Sequence, residues 1–242
     1  MKSPTKLGNE ATQQGINLAN QNRPAEALEY FNRALDYFEE IDIEAERRGE
    51  LSVLANILVT TGFPELSMMT IQGAIDIDKR TGNNENLAKD LLTYGIAQSN
   101  LGNMDDALSI YNQAHDISLS IGDYADAASA LTNIAGITFN IGDKGKAIDM
   151  LYESLGYLVK QPFPDTERST RITLVQALEF EGRSTEEIFA VAGQIVKFTG
   201  QLQSMERDVL RSSLLATVNR YVKDHPDSNT SAVKTKFLPG LI

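Results

Sequence analysis

Apolar side chains recur along this chain at intervals of three and four, the period of a helix with one buried stripe. No sustained two-residue alternation occurs, and Ala and Leu dominate the apolar positions, so the pattern predicts an all-α protein. Glycines stand at Gly62, Gly102, Gly142 and Gly182, each 40 residues after the last, and Asn22 occupies the same register one step earlier. Glycine and asparagine are the residues that best accept a left-handed backbone, so the register predicts five equivalent turns. Other columns keep step with it. Gly15, Ala55, Gly95, Ala135 and Val175 lie seven residues before the turns, and Ala27, Ser67, Ala107, Ala147 and Glu187 lie five after. Ala34, Ala74, Ala114, Ser154 and Gln194 lie twelve after, with Phe31, Ile71, Tyr111, Leu151 and Val191 between the last two columns. Small residues mark close helix approach and large apolar ones fill the gap.

Each 40-residue unit is therefore predicted to be a helix hairpin. Pro24 and Pro64 share the first turn of the second helix, where proline is tolerated. Asn103 and Asp143 are expected to cap that helix, and Ser184 with Glu187 forms a candidate capping box. Gly82, Gly122, Gly200, Pro162 and Pro164 mark a second turn between units. The expected organisation is an N-terminal tail over 1–7, five hairpins within 8–200 (8–43, 44–83, 84–123, 124–163, 164–200), a capping helix over 201–224 and a flexible tail over 225–242. The capping helix carries Val209, Leu210, Leu214, Leu215, Val218, Tyr221 and Val222, which suit it to cover the open edge of the last hairpin.

The segments GINLANQNRPAEALEYFNRAL, GIAQSNLGNMDDALSIYNQAH and AGITFNIGDKGKAIDMLYESL resemble the tetratricopeptide repeat. Small residue, turn glycine, alanine, aromatic and alanine follow in that repeat's order. The common unit is about 34 residues. The longer unit here is similar to those of kinesin light chains and the related mitotic-spindle adaptor family. The resemblance covers about residues 8–200 and implies a right-handed tetratricopeptide superhelix, an α-α solenoid in which the first helix of each hairpin lines a concave groove.

On that expectation the groove receives Asn9, Thr12, Ile16 and Asn20 from the first unit and Ser52, Asn56 and Thr60 from the second. The third gives Lys89, Leu92, Ile96 and Asn100, and the fourth Ser129, Thr132, Asn133 and Asn140. The fifth gives Ser169, Ile172, Gln176 and Phe180. Apart from Lys89 the stripe is uncharged. Side-chain amides donate and accept at once, which suits the main chain of a peptide. LTNIAGITFNIGD (131–143) resembles the Leu-Asn-Leu-Gly segment of kinesin-light-chain-like repeats, and the resemblance implies that Asn133 faces a bound peptide. Asn20, Asn100 and Asn140 lie two residues before a turn, where local capping is an equal alternative. Asn56 and Asn133 are mid-helix, where asparagine is a poor helix former and capping does not explain it.

Composition narrows the partner. Lys and Arg total 22 against 33 Asp and Glu, a net charge of −11. Such a surface repels nucleic-acid phosphates and anionic lipid, so neither is expected as a partner. The absence of cysteine excludes disulfides and thiolate sites. The two histidines, His115 and His225, are far apart, and no phosphate-binding loop or metal-ligand spacing occurs. No cofactor and no catalysis are expected. The basic clamp for a carboxylate terminus is missing, since its columns hold Thr12, Ile16, Val53, Lys89 and Thr93. The expected role is a cytoplasmic adaptor or scaffold that binds a peptide or protein segment in the groove. The alternatives are a self-assembling protein, joined through the terminal helix or tail, and a regulator of a signalling partner that is autoinhibited by its tail. The tail's Lys234, Lys236, Phe237, Leu238, Leu241 and Ile242 motivate both.

Overall fold

The computed structural model describes residues 2–238. Among them are twelve α-helices and a short 3-10 segment, with no strand. The chain divides into two compact units, Met1–Asp126 and Ala127–Ile242. The first holds three hairpins: α1 (Pro4–Asn20) with α2 (Pro24–Glu39), α3 (Glu44–Thr60) with α4 (Pro64–Thr81), and α5 (Asn84–Asn100) with α6 (Met104–Ile121). Helix α7 (Tyr124–Asn140) begins at the end of the first unit and lies mostly in the second. The second continues with α8 (Lys144–Lys160), α9 (Pro164–Phe180) and α10 (Thr185–Gly193). The 3-10 segment Val196–Gln201, α11 (Ser204–Asp224) and α12 (Thr230–Phe237) complete it.

The five in-register turns share one geometry. Asn22 has φ 57°, and Gly62, Gly102, Gly142 and Gly182 have φ 90°, 84°, 104° and 68°. The residue after each donates its N–H to a carbonyl five residues back: Arg23 to Leu18, Phe63 to Leu58, Asn103 to Gln98, Asp143 to Thr138 and Arg183 to Leu178. Each left-handed residue thereby closes the helix end by satisfying an orphan carbonyl. The caps divide. Asp143 accepts from the Lys146 N–H at 3.3 Å and Ser184 from the Glu187 N–H at 3.2 Å. Asn103 makes no side-chain cap; its Nδ2 donates to Gln98 Oε1 at 2.7 Å.

Within a hairpin, the column seven before the turn meets the column nine after it, and their sizes trade. A Cβ on Gly15 would stand 2.5 Å from Phe31 Cε1, and one on Gly95 would stand 2.5 Å from Tyr111 Cε1. Where the small column holds alanine, its counterpart is aliphatic: Ala55 with Ile71, Ala135 with Leu151, all buried. Where it holds Val175, the counterpart is Val191. A ring is thus admitted only opposite glycine. Ser67 replaces alanine in a column that is fully buried through its first four members, and its hydroxyl donates to the Ala55 carbonyl at 2.7 Å. The last helix of the fifth hairpin ends where its pattern fails: α10 stops at Gly193, and Gln194 is exposed where Ala34, Ala74 and Ala114 are buried.

Successive first helices meet along a polar seam instead. In the first unit Thr5 bonds Glu46, and Arg48 and Ser52 bond Asp90. In the second, Ser129 bonds Thr166, Thr132 bonds Thr170, Arg168 bonds Glu206, and Thr217 with Arg220 bonds Glu179. The contacts of α11 with α9 repeat the sequence separation of 38 seen between Thr132 and Thr170. Helix α11, expected as a cap, therefore stacks as the first helix of an abbreviated sixth hairpin, with α12 as its partner.

The tail expected to be flexible contains that partner helix. Phe237 stacks on Phe189 of α10 with ring centroids 4.8 Å apart, and Tyr221 packs against both rings at 5.6 Å. Val233 and Leu238 are buried. Apolar side chains that suggested a mobile plug are the core of this last hairpin. Leu241 and Ile242 lie outside the described residues.

The size trade predicts a coupling. Gly95→Ala should destabilise by about 1–3 kcal/mol through overpacking, and Tyr111→Leu by a comparable amount through lost ring contacts. The double variant reproduces the alanine–aliphatic combination found elsewhere in the chain. Urea denaturation should therefore give a favourable coupling of about 1 kcal/mol or more. Additive costs would show that the two columns do not share one space.

Candidate functional site

The first-helix faces carry the expected amide stripe, though not every residue placed in it. In the first unit Asn9, Asn20, Asn56, Lys89 and Asn100 are exposed, and Ile16 and Ile96 are half-buried. In the second, Asn140 is exposed and Asn133 and Gln176 are half-buried. Three expectations are corrected. Thr12 is buried, its hydroxyl donating to the Gly8 carbonyl at 3.0 Å. Thr132 is buried among Ala128 O, Ser154 Oγ and Thr170 Oγ1, at 2.8–2.9 Å. Neither can meet a ligand. Adjacent residues on a helix point 100° apart, so Thr132 turns into the seam while Asn133 turns out. Ile172 is likewise buried. Ser129 shares a 2.8 Å hydrogen bond with Thr166, and Ser52 donates to Asp90 at 2.9 Å, so both hydroxyls work within the seam. Lys89, expected in the groove, pairs with Glu85 at 2.7 Å, which raises its proton affinity.

The hydroxyls of Thr132, Ser154 and Thr170 form a closed network. Ser154 occupies an alanine column, and its hydrogen bond to the Ala128 carbonyl at 3.0 Å explains why a polar residue is tolerated there.

Phe180 and Asn9 were placed in the groove from the sequence, but their surroundings and the perturbed carboxyls were not legible there. Phe180 is exposed and stands edge-to-face with Phe139, ring centroids 5.7 Å apart, with Lys144 Nζ 3.7 Å from the Phe180 centroid. In the first unit a groove of about 810 Å³ is lined by Asn9 and Gln13 of α1, by Ile41 and Ile43, and by Glu46 of α3. Three carboxyls on the first-helix starts hold their protons more tightly than usual. Burial raises Glu50, against a hydrogen bond from Asn9. Burial, reinforced by Asp123, pushes Asp126 up to about 6. Burial, opposed by Arg48 and Ser52, pushes Asp90 up to about 7. Among the described residues no group of three or more His, Cys, Asp or Glu could hold a metal ion, and no helix is long and apolar enough to cross a membrane.

No protein-family model matches the chain, and no curated protein matches it. Solved structures do. A putative kinesin light chain with nearly identical TPR-like repeats from Podosopora anserina is similar at 14% identity and TM-score 0.60, over 83% of this chain and 98% of that one. A Rap protein complexed with Competence and Sporulation Factor is similar at 14% identity and TM-score 0.64, over 96% of this chain and 73% of that one. BtubC from P. vanneervenii is similar at 15% identity and TM-score 0.53, over 95% of each chain. The chain has the tetratricopeptide-repeat fold. Its tetratricopeptide hairpins are of the expected type, and at these identities the likeness is one of fold.

Thr132→Val keeps the shape of the side chain and removes the hydroxyl shared by Ser154 and Thr170. It should lower the stability of the second unit by about 1–3 kcal/mol. A denaturation midpoint equal to that of the parent chain would mean that the network contributes nothing.

Proposed function

We propose that this protein is an interaction module that binds a peptide or protein segment along its first-helix faces. The observation that carries this reading is the row of exposed and half-buried amides, Asn56 and Asn100 in the first unit and Asn133, Asn140 and Gln176 in the second. Asn56 and Asn133 weaken their helices and serve no turn. A side-chain amide can pair with both groups of a peptide unit, and each bond adds about 0.5–1.5 kcal/mol net, so several must act together. Half-buried Ile16, Leu92 and Ile96, with exposed Phe180, supply apolar contact beside the amides. The Rap protein complexed with Competence and Sporulation Factor is a protein of the same fold bound to another factor, which supports the reading. An adaptor or scaffold role in the cytoplasm is the finer form of the proposal.

The test is affinity capture from source-cell lysate with mass spectrometry, followed by titration of the captured partner. Asn56→Ala, and separately Asn133→Ala with Asn140→Ala, should leave the circular dichroism melt within about 1 kcal/mol of the parent. At least one of them should weaken binding on the order of tenfold to a hundredfold. Unchanged affinity in both, with the fold intact, would place recognition elsewhere.

A further inference from the structure

The tightest charged cluster in the first unit lies in the seam. Arg48 Nε and Nη2 of α3 hold both carboxylate oxygens of Asp78 on α4 at 3.0–3.1 Å, and Nη2 also reaches Asp90 Oδ2 on α5 at 2.9 Å. Ser52 of α3 donates to the same Asp90 oxygen at 2.9 Å, and the Asp78 carboxyl, held by the same guanidinium, raises the proton affinity of Asp90. Side-chain exposure is 14% for Arg48, 1% for Asp78 and 5% for Asp90. The cluster stands at a core position. One repeat earlier Gly8 and Phe38 occupy these two columns, in contact, and one repeat later Ala88 and Ser118 are fully buried. Two carboxylates facing one guanidinium would bury a net negative charge, and one proton removes it.

We propose that the Arg48–Asp78–Asp90 cluster is a proton-operated latch: with Asp90 protonated it clasps α5 to α3 and α4, and with Asp90 ionised the clasp loosens and the face bearing Asn56, Lys89 and Ile96 gives up its fixed geometry. The consequence for Asn56, Lys89 and Ile96 rests on the binding reading above; the latch itself does not. The charged surroundings of Asp90 are few. Helix α3 presents Arg48, and α4 presents Asp78. Helix α5 itself carries Glu85 and Lys89, paired at 2.7 Å, and the start of α7 brings Asp123 and Asp126 towards that pair. Helix α6, packed on α5, carries Tyr111, which burial keeps neutral, and His115, whose Nδ1 lies 3.6 Å from Asp116. Among the described residues Arg48 is the cation on Asp90, and together with the Ser52 hydroxyl it opposes the burial.

The sign follows from linkage. Asp90 binds its proton at about 7 in the closed seam, and at about 3.9 once solvated. Between those values the closed state holds the extra proton, so raising the pH favours opening; above them the effect is spent. The stabilisation is complete below about pH 4 and is lost as the pH rises through about 7.

Hydrogen exchange by mass spectrometry on the full chain reads this directly, as protection factors for residues 44–60 and 84–100 from pH 5 to pH 9. Protection should fall about twentyfold from pH 6 to pH 8, about tenfold of it from Asp90 and about twofold from Asp126, and then level. Asp90→Asn keeps the shape and the neutral state, so only about a twofold fall should remain, from Asp126. Ser52→Ala removes a donor to the ionised form and should move the levelling-off upward in pH. Carbon-13 NMR should show one carboxyl resonance titrating near neutrality that vanishes in Asp90→Asn. Flat protection in the parent chain, an equal fall in Asp90→Asn, or a Ser52→Ala transition that does not rise would each overturn the latch. If Asp90→Asn fails to fold, the direction of the Ser52→Ala shift and the carboxyl titration decide alone. No partner enters these measurements, so their failure leaves the binding reading standing.

Discussion

Where the two helices of a hairpin cross, the space between them is nearly constant, and two side chains must share it. Gly15 faces Phe31 and Gly95 faces Tyr111, with no room for even a Cβ on either glycine. Alanine columns are matched by Ile71 and Leu151, and Val175 by Val191. Close packing tolerates the sum of the two volumes and not either one alone. Everything else in the chain is arranged around that crossing. The left-handed turn residue stands at a fixed distance from it, so the 40-residue register is a consequence of the geometry. Residues that face away from the crossing are free to vary, and there the amide stripe is found.

The contact between hairpins follows a different chemistry. Beside the apolar packing of neighbouring hairpins, successive first helices join through hydroxyls, carboxylates and arginines that satisfy one another, from Ser52, Arg48 and Asp90 in the first unit to Thr132, Thr170 and Glu179 in the second. In a repeat protein the apolar crossing sets the stability of each unit and the seam sets the coupling between neighbours. Polar seams give coupling that depends on partners being present and correctly protonated. This division places the adjustable contacts beside the face proposed to bind, while the hairpin crossings stay rigid.

The hairpins and their turns were readable from the sequence because glycine at one interval of 40 leaves few alternatives. The fate of α11 and α12 was less readable. Val222 stands where the turn glycine should be, the turn is displaced to His225 and Pro226, and the short α12 has a helical pattern too brief to recognise. Its packing rests on Phe189, Tyr221 and Phe237, which lie in three separate helices. Which of the first-helix side chains reach the surface was readable to within one helical position. Asn133 and Thr132 differ by a single step, and Thr12 looks as suited to a groove as Asn9 until the seam is known. Ser52 and Asp90 were not recognisable as partners, because their pairing depends on the offset between neighbouring hairpins and not on either helix alone.

A tetratricopeptide fold by itself names no partner. The choice of face rests on which side chains are left over when the crossings and the seam have taken theirs. The most direct measurement is photo-crosslinking in source-cell lysate with benzophenone side chains placed one at a time at Asn56 and Gln176 on first helices, and at Met69 and Val159 on second helices. All four positions lie at the surface, from half-buried Gln176 to fully open Val159. A first-helix binding face predicts one shared adduct from Asn56 or Gln176 and none of that mass from Met69 or Val159. The same adduct arising from Met69 or Val159, and not from the first helices, would contradict it.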